Sequence, residues 1–228
     1  MPKIKISYTI LFILLFVFVT NKNCAQTDEE APQKKIAERK DRIGFDVNYD
    51  AWLNAPKGIK QKIQSPGVNF YLMWDYPFGY GPMSVAFGLG LSSHNVHSNG
   101  QITYTIDGKY TSMEPIITPY KKNKLSCNYI EIPIELRIRT KGESSFKLAI
   151  GAKIGYAYNI HTKVIDNDGK RKIYDIKNIE PLRYGPVFRI GYNKFNVNAF
   201  YSLSPLFKKG KGEPYIVQYS VGLGILLY

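Results

Sequence analysis

Cysteine is scarce. The 228 residues hold only Cys24 and Cys127, too few for a disulfide-dense scaffold. Histidine is limited to His94, His97 and His161, so a metal site with three or four side-chain ligands has little to draw on. Long apolar runs are also missing. A membrane helix needs about 20 apolar residues in a row, and only the ten residues Ile10 to Val19 come near that. No stretch keeps a 3.6-residue apolar period, which argues against a helical protein. Acid is in deficit, with 18 Asp and Glu against 31 Lys and Arg, for a formal charge of +13. What the chain has instead is aromatic weight: 18 Tyr and 12 Phe, residue types that suit strands. With 44% apolar and only 21% charged residues, it is not a disordered chain.

The N-terminus reads as a secretory signal peptide. Lys3 and Lys5 precede the run Ile10 to Val19, and a polar segment ending in Cys24-Ala25 follows. Cleavage is expected after Ala25, giving a signal segment of 1–25. Lys22-Asn23 before Cys24 fits a lipidation site poorly. Cleavage removes three lysines and no acid, so the charge falls to +10. Residues 26–42 carry five acids and five bases and read as a polar N-terminal arm. Residues 26–228 are the expected mature folding unit, and residues 43–228 its structured part.

That part alternates apolar and polar residues with a period of two. In Asn128 to Arg139, one face is Ile130, Ile132, Ile134, Leu136 and Ile138, and the other holds Glu131, Glu135, Arg137 and Arg139. Phe146 to Tyr156 and Ile43 to Leu53 repeat the pattern, as do runs near 67–77, 82–93, 183–192, 195–206 and 215–228. The count is eight strands of 10–14 residues. Soluble strands average about 5–6 residues, and a tilted membrane strand needs about 9–11. Short connections at 77–81, 140–145 and 193–194 alternate with long ones at 54–66, 94–127, 157–182 and 207–214. Outer-membrane barrels join strands by short periplasmic turns and longer external loops, and in lipid the sheet must close. The expected fold is all-β: an eight-stranded antiparallel up-and-down transmembrane β-barrel with long external loops, in the outer membrane of a Gram-negative bacterium.

The stretch YIEIPIELRIR followed by FKLAIGAKIGY resembles the core of the PorT-type outer-membrane β-barrel domain. The ending SVGLGILLY is similar to the closing strand of such barrels. The resemblance implies a small barrel of the OmpA kind, and it implies a link to secretion of the type IX kind. The facing of Tyr228 stays open, because its parity is opposite to that of Tyr219, Val221, Leu223 and Ile225.

The inward face predicts a lumen packed with ion pairs: acids Asp46, Asp50, Asp75, Glu131 and Glu135 with bases Arg137, Arg139, Lys147, Lys153, Arg183 and Arg189. Buried charges persist only when paired. Substitution of inward Glu131 is expected to cost less than placing a charge at lipid-facing Ile132. His94, His97 and Ser98 open the longest loop and offer a lipid-modifying enzyme as an alternative, yet no acid stands near them in sequence. Cys127 reads as a buried small residue. Excess positive charge collects on the external connections, above all at Lys57, Lys60 and Lys62 and at Lys208, Lys209 and Lys211. These would attract lipopolysaccharide phosphates or an acidic partner. The expected role is non-enzymatic: a structural or interaction component of the envelope, without cofactor, metal or nucleic acid, whose partners are outer-membrane lipid, lipopolysaccharide and an envelope or secretion protein. A small passive pore is the other alternative.

Overall fold

The computed structural model describes residues 42–79, 81–140, 145–174, 176–212 and 215–227. The expected signal segment, nearly all of the polar arm and Tyr228 lie outside them. The described chain forms β1 (Ile43–Leu53), β2 (Pro66–Pro77), β3 (Met83–His97), β4 (Gly100–Tyr104), β5 (Thr111–Pro115), β6 (Lys122–Arg139), β7 (Phe146–Asp166), β8 (Gly169–Ile173), β9 (Leu182–Tyr192), β10 (Phe195–Pro205) and β11 (Val217–Leu227).

Eight of these close a ring. Going round it, β6, β3, β2, β1, β11, β10, β9 and β7 are hydrogen-bonded in that order, and β7 pairs back onto β6. Every pairing is antiparallel. The first and last strands meet from Ile43 opposite Leu227 to Leu53 opposite Val217. The tightest link is Asn193-Lys194 between β9 and β10. Asn193 takes a positive φ of 52° there, the left-handed backbone a two-residue hairpin turn demands.

Successive Cβ atoms on a strand point to opposite faces, so the period-two pattern sorts the barrel into an outside and an inside. Outside lies a belt of exposed apolar residues, with Phe45, Phe70, Leu89, Ile132, Ile150, Phe188, Val197 and Leu223 around its girth. Aromatic residues mark both rims, with Tyr156, Tyr158, Tyr184 and Tyr201 toward the long connections and Trp74, Tyr76, Tyr192 and Phe195 toward the turns. Such girdles sit at the two membrane–water interfaces. Inside, small residues make room for large ones. A Cβ on Gly90 would run into the Tyr71 ring, and one on Gly67 into the Asp50 carboxylate.

The connections 94–127 and 157–182, expected as loops, are largely strand. β3 continues to His97, β6 begins at Lys122, and β7 runs 21 residues to Asp166. β8 pairs onto the upper part of β7, and β4 with β5 forms a separate hairpin. The alternation that betrays a membrane strand fades here for a physical reason: above the belt, neither face meets lipid. Inside this extension, Trp52, Val96, Met113, Leu125, Ile179, Leu206, Phe207 and Ile216 pack with Cys127 and Tyr129 into one apolar cluster. The outer ends of the strands and their connections thus form a cap over the barrel mouth.

Candidate functional site

The barrel interior is an unbroken stack of charge. At the turn end, Asp75 is paired with Arg139 and lies 3.5 Å from Arg137. Arg137 also meets Glu135 at 2.7 Å. One step higher, Arg189 grips Asp46 with two nitrogens, at 2.8 and 3.0 Å, and donates to Asn196. This fork geometry is the strong form of a charged hydrogen bond. At mid-height Glu131 takes Lys153 at 3.0 Å on one oxygen and Arg183 on the other, while the Tyr71 hydroxyl donates to it at 3.2 Å. The Arg183 guanidinium lies 3.8 Å above the Tyr129 ring, and the Lys153 ammonium 4.2 Å from the Phe200 ring centre. Such cation–π contacts add attraction where water is excluded. Lys147 is buried opposite Arg139 across the β6–β7 seam.

Each of the eleven inward charges named from sequence is therefore buried; Asp46, Asp75, Glu131 and Glu135 face arginine or lysine partners, and Asp50 is held by His94. Tyr71, Ser92, Gln218, Asn196 and Phe200 complete the network. Their parity on the strands was the available signal, but neutral and aromatic residues did not announce themselves as partners of charge.

Higher still, the structure corrects the histidine reading. His94 and His97 lie on β3, not in a loop. His94 faces inward, and its Nδ1 is 3.0 Å from Asp50 on β1. The acid missing from the local sequence is supplied by another strand. Asp50 also accepts the Asn95 amide at 2.8 Å. Ser98 does not join His94. Its hydroxyl accepts from the Gly100 amide at 3.2 Å, and neither ring nitrogen of His97 has a hydrogen-bond partner among the described residues. Cys127 is cross-strand from His94 and 1% exposed, well inside β6 rather than at its edge. The geometry therefore gives an oriented histidine whose Nε2 has no hydrogen-bond partner among the described residues.

On the outer surface, Lys57, Lys60 and Lys62 and Lys208, Lys209 and Lys211 are all exposed. Lys208 and Lys209 rim an outward hollow whose floor is Leu182, Tyr184, Leu203 and Tyr215. A second basic group was not singled out from sequence: Lys122, Lys124, Lys163, Lys170 and Lys172. These five are spread over 51 residues of chain, and only strand register gathers them.

Residues 31–208 match the family profile of the outer membrane protein β-barrel domain. Among curated proteins, none matches. Among solved structures, the crystal structure of Ail, the attachment invasion locus protein of Yersinia pestis, is similar at 13% identity and a TM-score of 0.34, covering 82% of this chain and 98% of that one.

Proposed function

The chain belongs to the outer membrane protein β-barrel domain family, and from that premise we propose that it is a sealed, non-enzymatic barrel that works by binding at its outer end. The observation that carries this reading is the continuous filling of the lumen, from the Asp75–Arg139 pair through the Glu131 hub to the apolar cap. An eight-stranded barrel is just wide enough for its own side chains, and here they are locked in pairs. A passive pore would need a water path through all three levels. An enzyme acting through His94 would need a nucleophile at its free nitrogen and an opening through the cap.

What remains is the outer end, with a folded cap and exposed lysines. Exposed positive charge attracts lipopolysaccharide phosphates or an acidic envelope protein. The resemblance of residues 129–156 to PorT-type barrels adds support for a place beside envelope-assembly or secretion machinery. The test is in two parts. The purified protein in a planar bilayer gives no stable conductance of porin size, and a large, reproducible open channel would overturn the sealed-barrel reading. Capture from detergent-solubilised outer membranes yields a partner whose retention falls when Lys57, Lys60 and Lys62 are changed to Gln. Equal retention would assign those lysines to solubility alone.

A further inference from the structure

Strand register gathers five lysines on one face of the β6–β7–β8 extension. Lys124 is directly opposite Lys163, and Lys163 directly opposite Lys172. One step further out, Lys122 is opposite Ile165 and Ile165 opposite Lys170. Residues directly opposite in an antiparallel pair share a face with Cβ atoms about 4.5–5.5 Å apart. The result is a ladder of three lysines flanked by two more, on three adjacent strands. Like charges so placed repel, and a sheet does not gain stability from them.

Little on this face offsets the repulsion. Among the described residues none of the five lysines forms an ion pair. Lys124 Nζ donates to the neutral Asn95 side chain at 2.6 Å. His161, on the same face, packs against Tyr174 with ring centres 5.3 Å apart. Its pKa is held down by burial and then by Lys172, Lys124 and Lys163, so it brings no charge of its own at neutral pH. The Lys163 ammonium is lowered by Lys170 first and then by burial, Lys122 and Lys172. Arg171 and Val164 lie on the opposite face, toward the β4–β5 hairpin, where Asp166 pairs with Arg171. The lysine face is thus the outward one, continuous with the lipid-facing row Ile130, Ile132 and Ile134 on β6.

Its height selects the ligand. Lys124 is six residues beyond Ile130, which is paired with Tyr156 of the rim. At about 3.3 Å per residue and a tilt of about 40°, that is on the order of 15 Å above the rim. The headgroup layer of a phospholipid leaflet is only about 5–8 Å deep. A phospholipid phosphate would sit below the ladder, whereas a phosphorylated sugar chain rising from a lipid would lie beside it. We propose that the outward face of β6–β7–β8 binds the phosphorylated saccharide of an outer-leaflet glycolipid, with Lys124, Lys163 and Lys172 as the central contacts. This deepens the outer-end binding reading and rests on it.

The experiment uses the mature protein refolded in detergent, titrated with purified lipopolysaccharide, with the same lipopolysaccharide after enzymatic dephosphorylation, with phosphatidylglycerol and with a soluble sulfated polysaccharide. The variant is Lys124→Gln, Lys163→Gln and Lys172→Gln together. Three charge contacts removed from this face should weaken lipopolysaccharide binding about tenfold at low salt, and the loss should shrink as salt is raised. Dephosphorylated lipopolysaccharide should bind protein and variant equally weakly. Retention of a heat-modifiable band shows that the variant folds. Should it not fold, the double variant Lys170→Gln, Lys172→Gln on the edge strand β8 carries the test, with a smaller loss expected. Unchanged affinity in the folded variant overturns the proposal. Phosphatidylglycerol or the soluble polyanion binding as tightly as lipopolysaccharide would overturn the assignment by height. A loss seen only when Lys208, Lys209 and Lys211 are neutralised would move the site to the β9–β10 side and leave outer-end binding standing. A porin-sized channel would instead remove the sealed-barrel reading without touching the ladder.

Discussion

Glu131 holds two cations at once, and that changes what its replacement should cost. From sequence it was one inward acid among five, expected to matter less than lipid-facing Ile132. In the structure it accepts from Lys153, Arg183 and Tyr71 while 1% exposed. Glu131→Gln leaves two buried cations without their shared carboxylate. Breaking a buried pair in this way costs about 3–5 kcal/mol, while Ile132→Arg at the bilayer midplane costs about 2–4 kcal/mol. In urea titrations followed by the folded-to-unfolded gel shift, Glu131→Gln should therefore lower the midpoint at least as far as Ile132→Arg. A Glu131→Gln midpoint close to that of the unmodified protein would mean that the lumen network does not hold the barrel. Adding Lys153→Met to Glu131→Gln should recover part of the loss. The Lys153 side chain already lies against Phe200, and contacting residues couple by about 0.5–3 kcal/mol.

At the scale of the element, legibility follows the solvent. Where a strand has lipid on one side and buried charge on the other, the alternation is stark, and β1, β2, β9, β10 and β11 start and end close to where the sequence places them. Where the same strands rise above the belt, residues such as Asn123, Ser126, Asn159 and Thr162 occupy both faces. That pattern is indistinguishable from a polar loop. The cap was invisible for the same reason, since its apolar members are scattered over β1, β3, β5, β6 and the last connections. The cap can be tested through its buried thiol. The β4–β5 hairpin leaves and rejoins the body at neighbouring points, with the Ile116 amide donating to Asn99 at 2.7 Å. In a Cys24→Ser background, replacing residues 100–115 with a short Gly-Ser link should leave the barrel heat-modifiable. It should raise maleimide labelling of Cys127 well above that of the intact chain, because Met113 leaves the cluster around it. Labelling as slow as in the intact chain would show that β4 and β5 do not shield the lumen.

For the whole molecule, closure is what removes every unpaired strand edge at membrane depth, and lipid tolerates none there. Unboiled protein in detergent should run at a different mobility from boiled protein, with a circular dichroism spectrum of β type. A single band at all temperatures together with a helical spectrum would be incompatible with the ring. The seam between β1 and β11 carries a further consequence, one of timing and proofreading. It joins residues as far apart as Ile43 and Leu227, so the two partners lie at opposite limits of the synthesised barrel. Without the eleven residues of β11 paired to β1, the other seven strands would form a sheet with two open margins, each a row of unsatisfied amides and carbonyls that hydrocarbon does not tolerate. The envelope can therefore judge completeness by one local question, whether β1 has found β11. A chain stopped before Val217 would fail that question with nearly all of its network already in place. It should be found in the periplasmic fraction as a protease substrate rather than as a weakened barrel.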